Sequence, residues 1–197
     1  MRRGSGASWE IREGLDYGLA LVLYVRDSVY PQPLPGLLQD VAPLEPAVVP
    51  EPGDAHEHAD EVAVQELARW WTRALEHPME PPLLPGSPGW EDMDDLPAAR
   101  KSAERLHDDF WEWLRPAKAL EVGHARTEGL QLTRFVNGLA AELGRPVRPF
   151  RLHVRVIPVG GVSGWVVAED QVLVTPKLRE DTMAFIGFLR PVVSALA

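Results

Sequence analysis

The stretch Phe150-Arg151-Leu152-His153-Val154-Arg155-Val156 alternates apolar and polar residues without a break. A period of two is the signature of a strand with one face in the core and one in water. The Gly-rich run Pro158-Val159-Gly160-Gly161-Val162-Ser163-Gly164 follows. Two short apolar runs come next, 165–168 and 172–175, separated by Glu169-Asp170. Thr175-Pro176 then opens a segment with helical spacing, Thr as N-cap and Pro as first helical residue. Its inner face carries Phe185, Ile186, Leu189, Val193 and Leu196. The order strand, strand, strand, helix predicts a three-stranded antiparallel meander, with a flexible hairpin connection at 158–164. Arg151, His153 and Arg155 share the wet face of the first strand.

A three-stranded sheet cannot bury its apolar face alone, so upstream helices must cover it. Residues 9–29 place Ile11, Leu15, Leu19, Val22, Val25 and Val29 at three- and four-residue steps. They read as one helix with Ser8 as N-cap, a strand within 19–25 being the rival reading. Residues 60–76 read as a second helix with Val64, Leu67, Trp71 and Ala74 on one face. A third runs from Pro97 to about Glu121 along Ala103, Leu106, Phe110, Trp113, Ala117 and Leu120. Pro116 should kink or split it, and Gly123 is a natural stop. A fourth, over 127–143, buries Leu132, Phe135, Val136, Leu139 and Leu143. The segments 31–53 and 78–96 are Pro-rich yet apolar, so they are expected to lie extended across the body of the protein. The alternative for 31–53 is a polyproline II ligand. The predicted fold is α+β: four to five helices packed on the small meander, with two Pro-rich extended crossings. A helical part at 8–145 and the strand–strand–strand–helix block at 149–196 form one domain over 1–197.

Of the 197 residues, 45% are hydrophobic and 25% charged, as in an ordinary globular protein. The formal net charge is −9, which argues against binding a phosphate backbone. Nucleic acid is therefore not an expected partner. The longest apolar run, 17–25, is nine residues, and a bilayer span needs about twenty. Met1-Arg2-Arg3 fits the start of a signal peptide, but Glu10, Glu13 and Asp16 precede the apolar run. The expectation is a cytoplasmic protein without a membrane partner. No cysteine is present, which removes disulfides, thiolate metal sites and cysteine nucleophiles.

His56-Glu57-His58-Ala59-Asp60-Glu61 places imidazoles and carboxylates where they can reach one divalent metal. The string is similar to the His-x-His-x-Asp-His motif of metallo-β-lactamase-like hydrolases, with Glu61 in place of the last His. That resemblance implies a metal held by His56, His58 and Asp60. In the family the motif follows a buried strand; here it follows Pro50-Glu51-Pro52-Gly53 and leads into a helix. Capping of that helix by Asp60 and Glu61 accounts for the carboxylates without a metal. The acidic run 91–95 is read in the same way, as complementing the helix start at Pro97.

Seven tryptophans are more than a chain of this size needs. Adjacent helical residues point about 100° apart, so one of each pair is expected at the core edge or exposed. Trp71 and Trp113 match the apolar seams, leaving Trp70 and Trp111 as candidate aromatic anchors. Arg151, His153 and Arg155 are the candidate basic stripe.

The chain has no Gly-x-Ser-x-Gly, His-Glu-x-x-His or dinucleotide fingerprint, so no catalytic residue is assigned. The reading these residues favour is a non-enzymatic acidic cytoplasmic protein acting through protein–protein interaction, as an adaptor, assembly subunit or immunity-type inhibitor. Its interaction candidates are Trp70, Trp111, Arg151, His153 and Arg155, with no cofactor. Two other readings stand beside it. One is a metal-dependent hydrolase using His56, His58 and Asp60, with a divalent metal. The other is a small-molecule-binding module with Trp70 or Trp111 in its pocket.

Overall fold

The computed structural model describes residues 9–29, 41–49, 61–76 and 93–197, without the side chains of 117–130. The elements in chain order are β1 (Glu10–Leu15), α1 (Tyr17–Val29), α2 (Glu61–Glu76), α3 (Pro97–Leu143), β2 (Arg151–Val156), β3 (Gly164–Ala168), β4 (Gln171–Val174), α4 (Pro176–Glu180) and α5 (Thr182–Leu196). The protein is α+β. It divides into two compact units: Met1–Leu15, Ala119–Val156 and Val162–Ala197 form one, and Asp16–Lys118 with Ile157–Gly161 the other.

In the first unit the strands form one four-stranded sheet in the order β1-β2-β4-β3. The strands expected at the C-terminal end are present, but they do not form an antiparallel meander. β2 is flanked by β1 and β4, both parallel to it, and only β3 and β4 pair antiparallel. Residues 157–163 are therefore not a hairpin; they carry the chain past β4 to the sheet edge. The loop is also tied down rather than flexible. Glu45 N donates to Pro158 O at 2.9 Å, Gly160 N to Pro43 O at 3.0 Å, and Leu44 bridges Val159.

The fourth strand comes from the segment expected to be helical. Residues 10–15 carry a spacing of Ile11 and Leu15 that suits a helix, but β2 offers six residues of parallel register, from Glu10↔Arg151 to Leu15↔Val156. Satisfying that row of main-chain groups outweighs local propensity. The helix starts only at Tyr17. Its N-cap is Asp16, whose Oδ1 accepts from Leu19 N at 2.8 Å, not Ser8.

Paired residues in a sheet point to the same side. One face presents Leu152, Val154, Val156, Val172 and Val174, all buried, to Leu132, Phe135, Val136 and Leu139 of α3 and to Leu178, Phe185, Leu189 and Val193. Each of these side chains contributes roughly 1.5–3 kcal/mol through burial. The last helical segment is two helices. Thr175 Oγ1 accepts from Leu178 N at 3.2 Å to cap α4, and Asp181 caps α5 by accepting from Met183 N and Ala184 N. One charged pair enters the core face: Glu13 on β1 and Arg179 on α4, with side chains only 10% and 12% exposed.

In the second unit α1 is buried on nearly all sides, Gly18 through Arg26. It packs with α2 and with the start of α3, where Tyr24 meets Phe110 edge-on at 5.6 Å. Arg26 on α1 holds the described part of the first Pro-rich segment, donating to Val41 O and Ala42 O at 2.8 and 2.9 Å. Val41 and Leu44 are buried, as an extended apolar crossing requires. Residues 30–40, 50–60 and 77–92 lie outside the described residues, and with them most of both Pro-rich segments. α3 begins at Pro97 as expected, but its main cap comes from α2: Glu66 Oε2 accepts from Ala98 N at 2.7 Å and from Ala99 N at 3.0 Å.

The helix neither splits at Pro116 nor stops at Gly123, and α3 is one helix of 47 residues. A proline in mid-helix removes one main-chain bond and crowds one carbonyl. Buried apolar residues lie on both sides of it, Phe110 and Leu114 before and Leu132 and Val136 after. Leu114 takes the buried seam position expected for Trp113, and Leu143 is 41% exposed rather than buried.

Candidate functional site

A sheet with two edges has two rows of main-chain groups that no strand satisfies. The two edges here differ in chemistry. β1 carries Glu10, Arg12 and Glu13, so charge protects it. β3 reads Gly164-Trp165-Val166-Val167-Ala168 and carries none. Val166 is 59% exposed and Val167 36%, and Val162 just before the strand is 61% exposed. Trp165 is half-buried.

The ladder fixes which groups of β3 face outward. Thr175 N donates to Ser163 O at 3.0 Å. The register continues through Gly164↔Val174, Trp165↔Leu173 and Val166↔Val172. Main-chain groups in an antiparallel ladder alternate in direction. Ser163 and Trp165 therefore turn toward β4, and Gly164 and Val166 turn their N–H and C=O away from it. Among the described residues nothing pairs with these outward groups. Position 164 admits only glycine without rearrangement, because a Cβ there would lie 2.8 Å from Phe188 Cζ and 2.9 Å from Leu178 Cδ2. The edge strand is thus pressed against α4 and α5 on one side and open on its margin.

The basic stripe is on one face as expected, but it is not uniformly wet. Arg151 is exposed, His153 half-buried and Arg155 only 5% exposed. β2 lies between two strands, so its inner end is covered where an edge strand would be open. Arg155 Nη1 donates to Gln171 Oε1 at 3.2 Å. Glu10 on β1 partly neutralises the rest: it accepts from Arg12 Nε at 2.8 Å and lies 3.4 Å from Arg151 Nε. The hydrogen bond from Arg12, with the charges of Arg12, Arg151 and His153, holds the Glu10 carboxyl below the ordinary carboxylate range.

An open groove of about 710 Å³ lies at one end of this sheet, lined by residues that include Arg148, Phe150, Arg151, Glu169, Asp170 and Leu196. Its charges are balanced, and neither Trp70 nor Trp111 lines it.

Trp70 and Trp71 are 1% and 3% exposed. Neither reaches the core edge or the surface as expected for one of the pair, and Trp70 presents no surface to a partner. Ala63, Leu67, Trp70 and Ala74 make one seam and Glu66 and Trp71 widen it, so both indoles fall within one broad apolar face. Trp111 is half-buried. Its Nε1 donates to His107 Nε2 at 3.0 Å, which makes that nitrogen the acceptor and leaves Nδ1, 3.0 Å from Asp108 Oδ1, to carry the proton. Its ring lies 5.7 Å from Tyr17 and 5.3 Å from Phe110. Trp111 is thus engaged by its own helix and by α1. Asp94 and Asp95 of the acidic run pair with arginines, Asp94 with Arg100 and Asp95 in a two-pronged contact with Arg73 at 2.9 and 3.1 Å.

His56, His58 and Asp60 lie outside the described residues. Among the described residues no group of three or more His, Asp and Glu is arranged to hold a metal ion, and no helix is long and apolar enough to cross a membrane.

The chain matches no protein-family model, no curated protein and no solved structure. The β3 edge therefore has to be read from its own chemistry. Sequence reasoning missed it: residues 165–168 are visibly apolar and uncharged, but only the strand order puts them at a margin.

Proposed function

We propose that this chain is a non-enzymatic, cytoplasmic protein-binding module that takes an extended segment of a protein partner onto β3. The observation that carries the reading is the outward main chain of Gly164 and Val166, beside exposed Val162, Val166 and Val167. An added strand gains main-chain hydrogen bonds from such an edge, and alternate side chains supply selectivity. Soluble proteins ordinarily protect an apolar edge with charge, as β1 does. The ligand chemistry that fits is an uncharged run of β-branched or aromatic residues, and the net charge of −9 adds a preference for basic flanks.

The test is selection of displayed peptides on the full chain, followed by amide hydrogen exchange with a selected peptide bound. The Gly164 and Val166 amides should slow, and Val166→Lys should weaken binding by at least about tenfold, or roughly 1.4 kcal/mol. Peptides that bind Val166→Lys equally well and leave those two amides unprotected would overturn the reading.

A further inference from the structure

We infer that the strand added to β3 is β3 of a second copy of this chain, paired antiparallel about a two-fold axis at Trp165. The inference rests on the strand-addition reading above and names the partner. The usable run of the edge is short. The register shifts between Val166 and Ala168, where two steps on β3 oppose one on β4, so Ala168 turns back toward β4. Gly164 and Val166 remain as the residues facing outward. An axis at Trp165 sets Gly164 of each copy opposite Val166 of the other, and each such pair exchanges two N–H···O bonds. An axis at Val166 would set Gly164 opposite Ala168, which has no outward groups to offer. Self-pairing about Trp165 thus satisfies every outward group on the regular part of the edge.

The side chains agree with that axis. Gly164 has no side chain, and the space one would fill is taken by Phe188 and Leu178, so the partner's Val166 faces apolar atoms across from it. Trp165 meets its mate in the non-hydrogen-bonded position, where Cβ atoms come within about 5 Å and aromatic pairs interact. No residue of β3 is charged, so the paired strands themselves bring no like charges together. The contact of one short strand is smaller than the roughly 1,200 Å² of a standard interface, so the dimer is weak and concentration-dependent.

Sedimentation equilibrium of the full chain from about 1 μM to 1 mM tests this, a range set by the affinity of small interfaces. The mass should rise from the 21.9 kDa of one chain toward twice that value. The two Val166 side chains lie diagonally across the axis, about 7–8 Å apart. Val166→Lys alone and Val166→Glu alone should each weaken association at least about tenfold, and an equimolar mixture of the two should restore it. Neither variant's misfolding can produce that rescue. The chain has no cysteine, so Trp165→Cys should form a disulfide dimer on mild oxidation. Val166→Cys should not, because its mates are too far apart to bridge. A constant mass of 21.9 kDa, or a Lys/Glu mixture no tighter than either variant alone, overturns the inference. A monomer that still binds a selected peptide with slowed Gly164 and Val166 amides overturns only the second-copy inference; a chain that does neither overturns the strand-addition reading too.

Discussion

Among the described residues, Glu66 is the most buried carboxylate that holds two elements together, and replacing it tests how the second unit is built. Its side chain leaves α2 and accepts from the first free amides of α3, Ala98 N at 2.7 Å and Ala99 N at 3.0 Å, while the residue is 4% exposed. A hydrogen bond to a charged group contributes about 1.5–3 kcal/mol. Glu66→Ala removes two and leaves both amides without a partner, which sets the loss at about 3 kcal/mol even at the low end of that range. Glu66→Gln keeps an oxygen in place but removes the charge from the helix N-terminus, a loss of about 1 kcal/mol. The assay is urea unfolding followed by tryptophan emission, which Trp70 and Trp71 on the same helix report. With a slope of about 2 kcal/mol/M, the Ala variant's midpoint should fall by about 1.5 M and the Gln variant's by about 0.5 M. An Ala variant within about 0.5 kcal/mol of the parent, or a Gln variant as damaged as the Ala one, would refute the capping argument.

Two further outcomes follow from the first unit. Glu13 and Arg179 form a nearly buried ion pair on the core face of the sheet, so Arg179→Met should destabilise by about 3–5 kcal/mol by stranding the carboxylate. The double variant Glu13→Leu with Arg179→Met should recover much of that loss in thermal melts; equal damage in both would count against the pairing. At Glu10 the hydrogen bond from Arg12 depresses the folded-state pKa. That contribution is present above the unfolded-state value and is lost as pH falls through the folded-state value. An NMR titration should find Glu10 below the usual carboxylate range and moving up in Arg12→Ala, and no movement would refute the assigned cause.

Local pattern carried the elements whose neighbours matter least. The alternation of 150–156 specified a strand, Thr175-Pro176 specified a helix start, and Leu132, Phe135, Val136 and Leu139 specified a buried helical face, all as observed. It failed at 9–15 because a strand made of Glu10-Ile11-Arg12-Glu13-Gly14-Leu15 has little propensity of its own and forms by pairing with a segment far along the chain. It failed at Trp70 for a similar reason. Spacing gives the angle between two side chains, but how wide a face is buried depends on what surrounds the helix. The helix runs on through Pro116 for a related reason, since a local penalty of about 3 kcal/mol is smaller than the burial gained on both sides.

By itself, then, the sequence determined which segments are apolar, which alternate, where three helices begin or are capped, and that β3 bears no charge. These are properties of neighbours along the chain. Only the tertiary structure decided that β2 is central, that Arg155 is covered and that β3 lies at an edge with Gly164 and Val166 turned outward. Strand order is set by main-chain pairing between distant segments, and no residue records along the chain whether it will have a neighbour on one side or two.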